Sequence, residues 1–360
     1  MPVYKQRLER PRFFTSLFQT PEANFHNNDT VEYDIIRQGQ DIAVAVVSQT
    51  SGSRRFEVKT SVNKGWNPVT YLYETSINAA EINKRMPGNT TFDEVDFQEA
   101  ATDLSLDAVQ KLETMIRDAI ELDCAEVLQT GTLTKKDESN NTIGDAYDFA
   151  PLDATGTIAS GDLMVTTATD WAADGATGDP LGDLEGLADN MRARGYNPVK
   201  AVFGSQAWTY FLKNSTVLAR FNLLNANFGQ LQLSPEMSGA SRVGNMMIGT
   251  YPMELWVSKA TYKNPYGGAV TPYMTTDKVL LVADARRDLT FGGISKFPNA
   301  IDQRATALLP PRMSFPGAAF DISLAAYFDA PGRNLTISGG TRPLPIPTAI
   351  DSFACLDTVA

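Results

Sequence analysis

Between Phe92 and Gln129 the chain repeats apolar residues at helical spacing. Val109, Leu112, Ile116, Ala119, Ile120, Val127 and Leu128 fall on one stripe. Unbroken, such a helix spans on the order of 50 Å at 1.5 Å per residue, which is long for a compact domain. Gly131 supplies the residue type that ends helices in the left-handed conformation. The same stretch concentrates charge. Residues 90–130 hold Asp93, Glu94, Asp96, Glu99, Asp103, Asp107, Glu113, Asp118, Glu121, Asp123 and Glu126 against only Lys111 and Arg117, so most of the chain's net charge of −11 sits here. Asp96, Glu99, Asp103 and Asp107 follow one another at intervals of three, four and four, and therefore share a helix face. Paired carboxylates of this kind could hold a hard cation or perform glycosidase chemistry. Without convergent ligands from elsewhere, the spacing reads as a solvated acidic ridge.

The segments before this helix lack an interior of their own. Residues 1–37 are polar and irregular, with Phe13, Phe14, Leu17 and Phe18 as anchors, and read as an extended arm that packs on something else. Residues 38–78 alternate apolar and polar positions at Ile42, Val44 and Val46, turn near Ser51-Gly52-Ser53, and resume at Phe56 and Val58. This is a long two-stranded ribbon, marginal alone because it buries little. It either lies on its own core or is completed by a neighbouring copy.

After the helix comes a stretch (131–178) of short strands and loops around Phe149, Leu163 and Trp171. Residues 179–195, DPLGDLEGLADNMRARG, then read as one helix: Asp179 caps it, Pro180 opens it and Gly195 stops it. Asp183 and Glu185 near its start and Arg192 and Arg194 at its end complement the helix dipole. Leu181, Leu184, Leu187, Ala188 and Met191 form its buried face. A strand at Val199–Phe203, a helix at Gln206–Asn214 and strands at Met246–Ile248, Met253–Val257 and Val279–Ala283 complete an α/β unit whose helices cover a sheet. Residues 290–338 are strand-rich, notably 319–328 and 335–337. The tail after 338, with Pro343, Pro345 and Pro347, favours extended structure.

Catalytic chemistry is scarce. The one histidine, His26, lies in the polar stretch FHNNDT, which excludes multi-histidine metal sites and histidine-based triads. No GxxxxGK[ST] phosphate loop occurs. Gly204-Ser205 does not meet GxSxG, and Ser205 reads as a helix N-cap. Cys124 and Cys355 are too far apart for a CxxC metal site, and a reducing, cytoplasmic setting is the simplest reading. No apolar run is long enough to cross a bilayer. The acidic balance argues against nucleic acid as the main affinity partner.

A polar arm, a ribbon, a long acidic helix, an α/β insert and a return to strands resemble, in that order, the HK97-type major capsid protein of tailed bacteriophages. Within that group the chain is similar to the lambda-type coat protein E family. The resemblance is carried by GQDIAVAVVSQTSGS with RFEVKTSVNKGWNPVTYLYETSINAAEINKRMPG, by TDWAADGATGDPLGDLEGLADNMRARGYNPVKAVFGSQAWTYFLKN, and by FPNAIDQRATALLPPRMSFPGAAFDISLAAYFDAP. It implies an α+β fold in which 1–37 is the N-terminal arm and 38–78 the E-loop hairpin. Residues 79–178 would be the P-domain with its spine helix at about 92–130, 179–290 the A-domain, 291–338 returning P-domain strands and 339–360 a C-terminal extension.

The resemblance further implies a coat protein, not an enzyme, with no catalytic, cofactor or metal site. Such a protein assembles as hexamers and pentamers of an icosahedral head around double-stranded DNA, in the host cytoplasm, with a separate scaffolding protein, a portal and a decoration protein, and without a membrane. Candidate contacts between copies are Phe13, Phe14, Arg54, Arg55, Phe56, Lys59 and Trp66. The acidic face of Asp96, Glu99, Asp103 and Asp107 is expected to line the lumen and repel DNA phosphate. An encapsulin-like cargo shell and a soluble α/β nucleotide-binding enzyme are the other readings.

Overall fold

The computed structural model describes residues 12–26, 30–35, 62–82, 97–149, 163–171, 178–224, 239–294, 321–329 and 334–359. Its organising element is a single helix, Phe97–Thr130. At 1.5 Å per residue it is about 50 Å long. Gly131, at φ +71°, ends it and donates its N–H to Val127 O at 2.8 Å.

The helix is long because it serves three cores in succession. Val109 and Leu112 pack with Ile77, Ala326 and Ile337. Ile116, Ile120, Cys124 and Leu128 enter a larger core, and Val127 reaches a third with Leu133, Phe149 and Leu344.

The largest sheet has six strands in the order Met164–Thr166, Phe353–Asp357, Lys278–Ala283, Pro198–Phe203, Tyr251–Ser258 and Ala240–Ile248. Its central strands are apolar on both faces, as strands sandwiched between two layers must be. Val279, Leu281 and Ala283 face one core together with Ala201, Phe203, Ala354 and Leu356. Leu280 and Val282 face the other with Val202, Phe353 and Cys355. The first core is closed by the helices Pro180–Ala193, Ser205–Lys213 and Ser215–Leu224, and the second by the long helix. The molecule is thus a layer of helices, a mixed sheet and a long helix.

A second, antiparallel sheet joins Ser323–Phe328, Asn334–Thr341 and Tyr71–Asn78 and lies on the first half of the long helix. Asp288–Phe291 pairs with Pro343–Ile346, so the proline-rich tail is extended as expected and finds a strand partner.

The expected boundaries change in three places. Val31–Ile35, read as part of the arm, pairs antiparallel with Val62–Trp66. Tyr71–Asn78, read as part of the ribbon, belongs instead to the three-stranded sheet. The bend between them is pinned by Arg342, whose Nε donates to Pro68 O (3.0 Å) and Nη2 to Asn67 Oδ1 (2.7 Å). Most consequentially, residues 339–360 are no appendage. Phe353–Asp357 is an internal strand of the main sheet, paired with Lys278–Ala283 and with Met164–Thr166. Periodicity marks a strand as buried but does not name its neighbours, so a unit drawn at 179–290 omits two strands of its own sheet.

Candidate assembly surfaces

The arm is fastened to the body by hydrogen bonds and aromatic packing. Phe13 and Phe14 are each 1 % exposed, edge to face with one another at 5.4 Å, and Phe13 lies 5.3 Å from Trp256. Beneath them Glu121, wholly buried, accepts the backbone N–H of Phe14 and of Thr15, each at 2.7 Å, and the Thr15 hydroxyl at 2.5 Å. Burial raises the Glu121 pKa, although these donors and Arg12 oppose the shift. Further along, Gln19 N–H donates to Arg287 O, the Gln19 carbonyl accepts from Leu289 N–H, and Phe25 stacks on Phe291 at 5.2 Å. His26 is tied through its backbone N–H to Phe291 O at 2.9 Å.

Phe13 and Phe14, read as contacts between copies, are therefore core residues of their own chain. Two adjacent aromatics have more area to bury than a polar arm can supply, and they take the nearest apolar surface, beside the long helix. Trp66 behaves likewise: half-buried, it sits edge-on to Phe149 at 4.1 Å and to Tyr147 at 5.7 Å. Arg54, Arg55, Phe56 and Lys59 lie outside the described residues, as does Asp96.

The acidic window divides by depth. Asp103 and Asp107 are exposed on the first half of the long helix, with Glu99 in the same helix. Glu113 pairs with Arg117 at 2.8 Å, and Arg117 also reaches Asp321 at 3.2 Å. The second half turns its acids inward at Glu121 and Asp123. The expected ridge describes the first half of the helix alone.

Asp123 is the floor of a concave surface, a groove of about 700 Å3 between the long helix, the start of the Tyr71–Asn78 strand, the hairpin after Gly131 and the loop around Tyr266. Its carboxylate is ion-paired with Lys135, both side chains at most 5 % exposed. The Tyr71 hydroxyl stands 2.9 and 3.1 Å from the two Asp123 oxygens and accepts from Lys135 Nζ at 2.6 Å. Burial raises the Asp123 pKa against the opposing pull of Lys135 and Tyr71, and burial with Asp123 pushes the Tyr71 phenol well up.

Around this polar floor the rim is open: Tyr73 is 41 % exposed, Ile143 39 % and Tyr266 42 %, while Leu72, 55 % exposed, turns to the other face of its strand, against Gly340. Three elements distant in sequence thus turn large side chains toward one concavity. No run of residues announces this, although Tyr71, Tyr73, Tyr262 and Tyr266 recur in segments the sequence marks as strand or loop.

The strand-to-helix turn that resembles a nucleotide site is closed by the chain itself. The N–H groups of Gln206 and Ala207 donate to Thr276 O, and a Cβ at Gly204 would come within 2.3 Å of Thr275 O. The donors that would cradle a phosphate are already engaged. Ser205 is the first helical residue and Gly204 the N-cap, which corrects the expected cap. Asp179 likewise caps by backbone alone, its carbonyl accepting from Asp183 N–H at 2.9 Å. Among the described residues no helix is long and apolar enough to cross a membrane.

Residues 2–354 match the model of the family described as phage major capsid protein E. This chain belongs to that family. Its fold is HK97-like. It superposes on a capsid protein assigned to a prophage of E. coli CFT073 with a TM-score of 0.62 at 16% identity, over 97% of this chain and 93% of that one. The capsid of cyanophage P-SCSP1u follows at 0.51 and 10% identity, over 99% and 90%. No curated protein matches the sequence. The chain is a structural coat protein of an icosahedral phage shell, not an enzyme.

Proposed function

We propose that the chain is the repeating tile of hexamers and pentamers that close a head around double-stranded DNA, assembled in the host cytoplasm with a separate scaffolding protein, a portal and a decoration protein. The observation that carries the reading is the open rim of the groove, formed by Tyr73, Ile143 and Tyr266. Exposed apolar residues that converge on one concavity mark an interaction site, and a shell subunit offers such a surface to its neighbours. Asp103 and Asp107 are proposed to face the lumen, where a negative wall holds packaged DNA off the shell.

Replacing Tyr73 and Tyr266 together by Asp tests the first point. We expect a folded subunit with an unchanged circular dichroism spectrum that forms no shells in negative-stain micrographs. Shells in wild-type yield would refute a role of the groove in assembly. For the second, Asp103→Lys with Asp107→Lys is expected to give shells that retain nucleic acid from the lysate, measured as the 260/280 nm absorbance ratio. A ratio equal to that of wild-type shells would remove these residues from the lumen.

A further inference from the structure

The arm's short turn, Thr15–Leu17, is held between two buried charges of opposite sign that do not touch each other. At its N–H end stands Glu121, bonded to Phe14 N, Thr15 N and the Thr15 hydroxyl. At its carbonyl end stands Arg287, 5 % exposed, whose Nε donates to Leu17 O at 3.1 Å. The other guanidinium bonds also go to neutral groups, Ser352 Oγ at 3.1 Å and Ala283 O at 3.0 Å. Each charge is solvated by the peptide groups it meets, and the turn presents the matching dipole to each: donors to the carboxylate, an acceptor to the guanidinium.

This arrangement sets two opposed forces. Phe13, Phe14 and Phe18 bury aromatic area on Trp256, Ile116, Ile120 and Leu280, which favours docking. Docking also strips water from a carboxylate and a guanidinium whose opposite charges, Arg12 and Asp284, are exposed and attract them less than burial costs, and undocking gives that hydration back. A strap held by apolar anchors alone would part from the body only on global unfolding. One that returns two charges to water has an open state of its own, reached while the sheet beneath stays folded.

We propose that residues 13–18 form a releasable strap, latched by Glu121 and Arg287, that opens independently of the rest of the molecule and uncovers the apolar seat beside the long helix. Opening converts a closed subunit into one that offers new apolar surface together with three aromatic side chains on a free segment. This makes the strap a control point for association of copies. Only that last step rests on the shell reading, since the opening belongs to the single chain.

The molecule carries its own reporters. Cys124 lies under the strap, buried, with the Thr15 hydroxyl turned toward its thiol. Cys355, also buried, sits in the internal strand Phe353–Asp357 and opens only with the sheet. In the unmodified protein, amide exchange at Phe14 and Thr15 is expected to run at least about 100-fold faster than at Leu280 and Val282, with Cys124 labelled by a thiol reagent well ahead of Cys355. Equal exchange at the two places, or equal labelling of the two thiols, would show that the strap has no separate open state.

Glu121→Gln removes one of the two charges that opening returns to water, so it should lower strap exchange and Cys124 labelling about tenfold and leave Leu280 and Cys355 unchanged. A parallel fall at Cys355 would overturn the latch and make Glu121 a contributor to global stability only. Micrographs of the same samples keep the two readings apart. Shells that form normally while the strap shows no separate opening refute the latch and spare the shell. Separate opening without shells does the reverse.

Discussion

Two carboxylates one residue apart in sequence, Glu121 and Asp123, leave the long helix on different flanks and are treated differently. Asp123 has a full counter-ion in Lys135 and a phenol in Tyr71, all on elements that belong to the body. Glu121 is bonded to the peptide N–H groups and hydroxyl of a short arm, with the exposed Arg12 of that arm attracting it more weakly. Burial raises the pKa of both. Charge in the interior is tolerated in two ways, then: by a partner that cannot leave, or by one that can. The groove side is rigid at its floor and open at its rim, whereas the strap side is sealed by something detachable.

The largest expected effect tests the rigid side. Lys135→Met leaves the Asp123 carboxylate buried without a counter-ion and should cost about 3–5 kcal/mol in denaturant unfolding. Adding Asp123→Leu should recover most of that loss, because the uncompensated charge is gone. A cycle in which the two losses simply add would mean that the pair is not coupled, and the contrast with Glu121 would fail. Next in size, Glu121→Ala strands the N–H groups of Phe14 and Thr15 and should cost about 1–3 kcal/mol, seen first as faster strap exchange.

A pH series sharpens the same contrast. The Glu121 pKa is raised above its ordinary value of 4.5, so from that pH upward the unfolded chain loses this proton before the folded one does. The group's contribution is therefore fully present below pH 4.5 and is lost as pH rises through the folded value, at no more than about 1.4 kcal/mol per pH unit. Glu121→Gln should flatten that part of the stability curve. An unchanged curve would mean that docking leaves the carboxyl as well solvated as water does. Smallest in stability is the rim. Tyr266→Asp should shift unfolding by no more than about 0.5 kcal/mol, measured by thermal melting, because the side chain is exposed and its hydroxyl bonds only Lys136 O at the surface, at 3.2 Å. A large loss would make the rim part of the subunit's core and not a surface kept for neighbours.

Much of this was legible because it is local. The long helix, its stop at Gly131, the Pro180 start and the α/β alternation follow from periodicity and from residues with special backbone preferences. Phe13 and Phe14 were visible as anchors, but an anchor's target is not written next to it. Asp123 and Glu121 were visible only as two more acids in an acidic window. The helical period separates them by about 200°, yet what waits on each flank, Lys135 or the arm, depends on how remote segments pack.

The order of residues thus settles which stretches become helix or strand, which faces are apolar, and that little catalytic chemistry is on offer, since these depend on neighbours within a few positions. Tertiary structure alone decided that the tail completes the central sheet, that the arm's aromatics belong to their own chain, and that one end of the acidic helix is exposed while the other is buried. Each of those outcomes pairs groups scores to hundreds of residues apart. Burial and ion pairing depend on distance in space, and distance along the chain does not encode it.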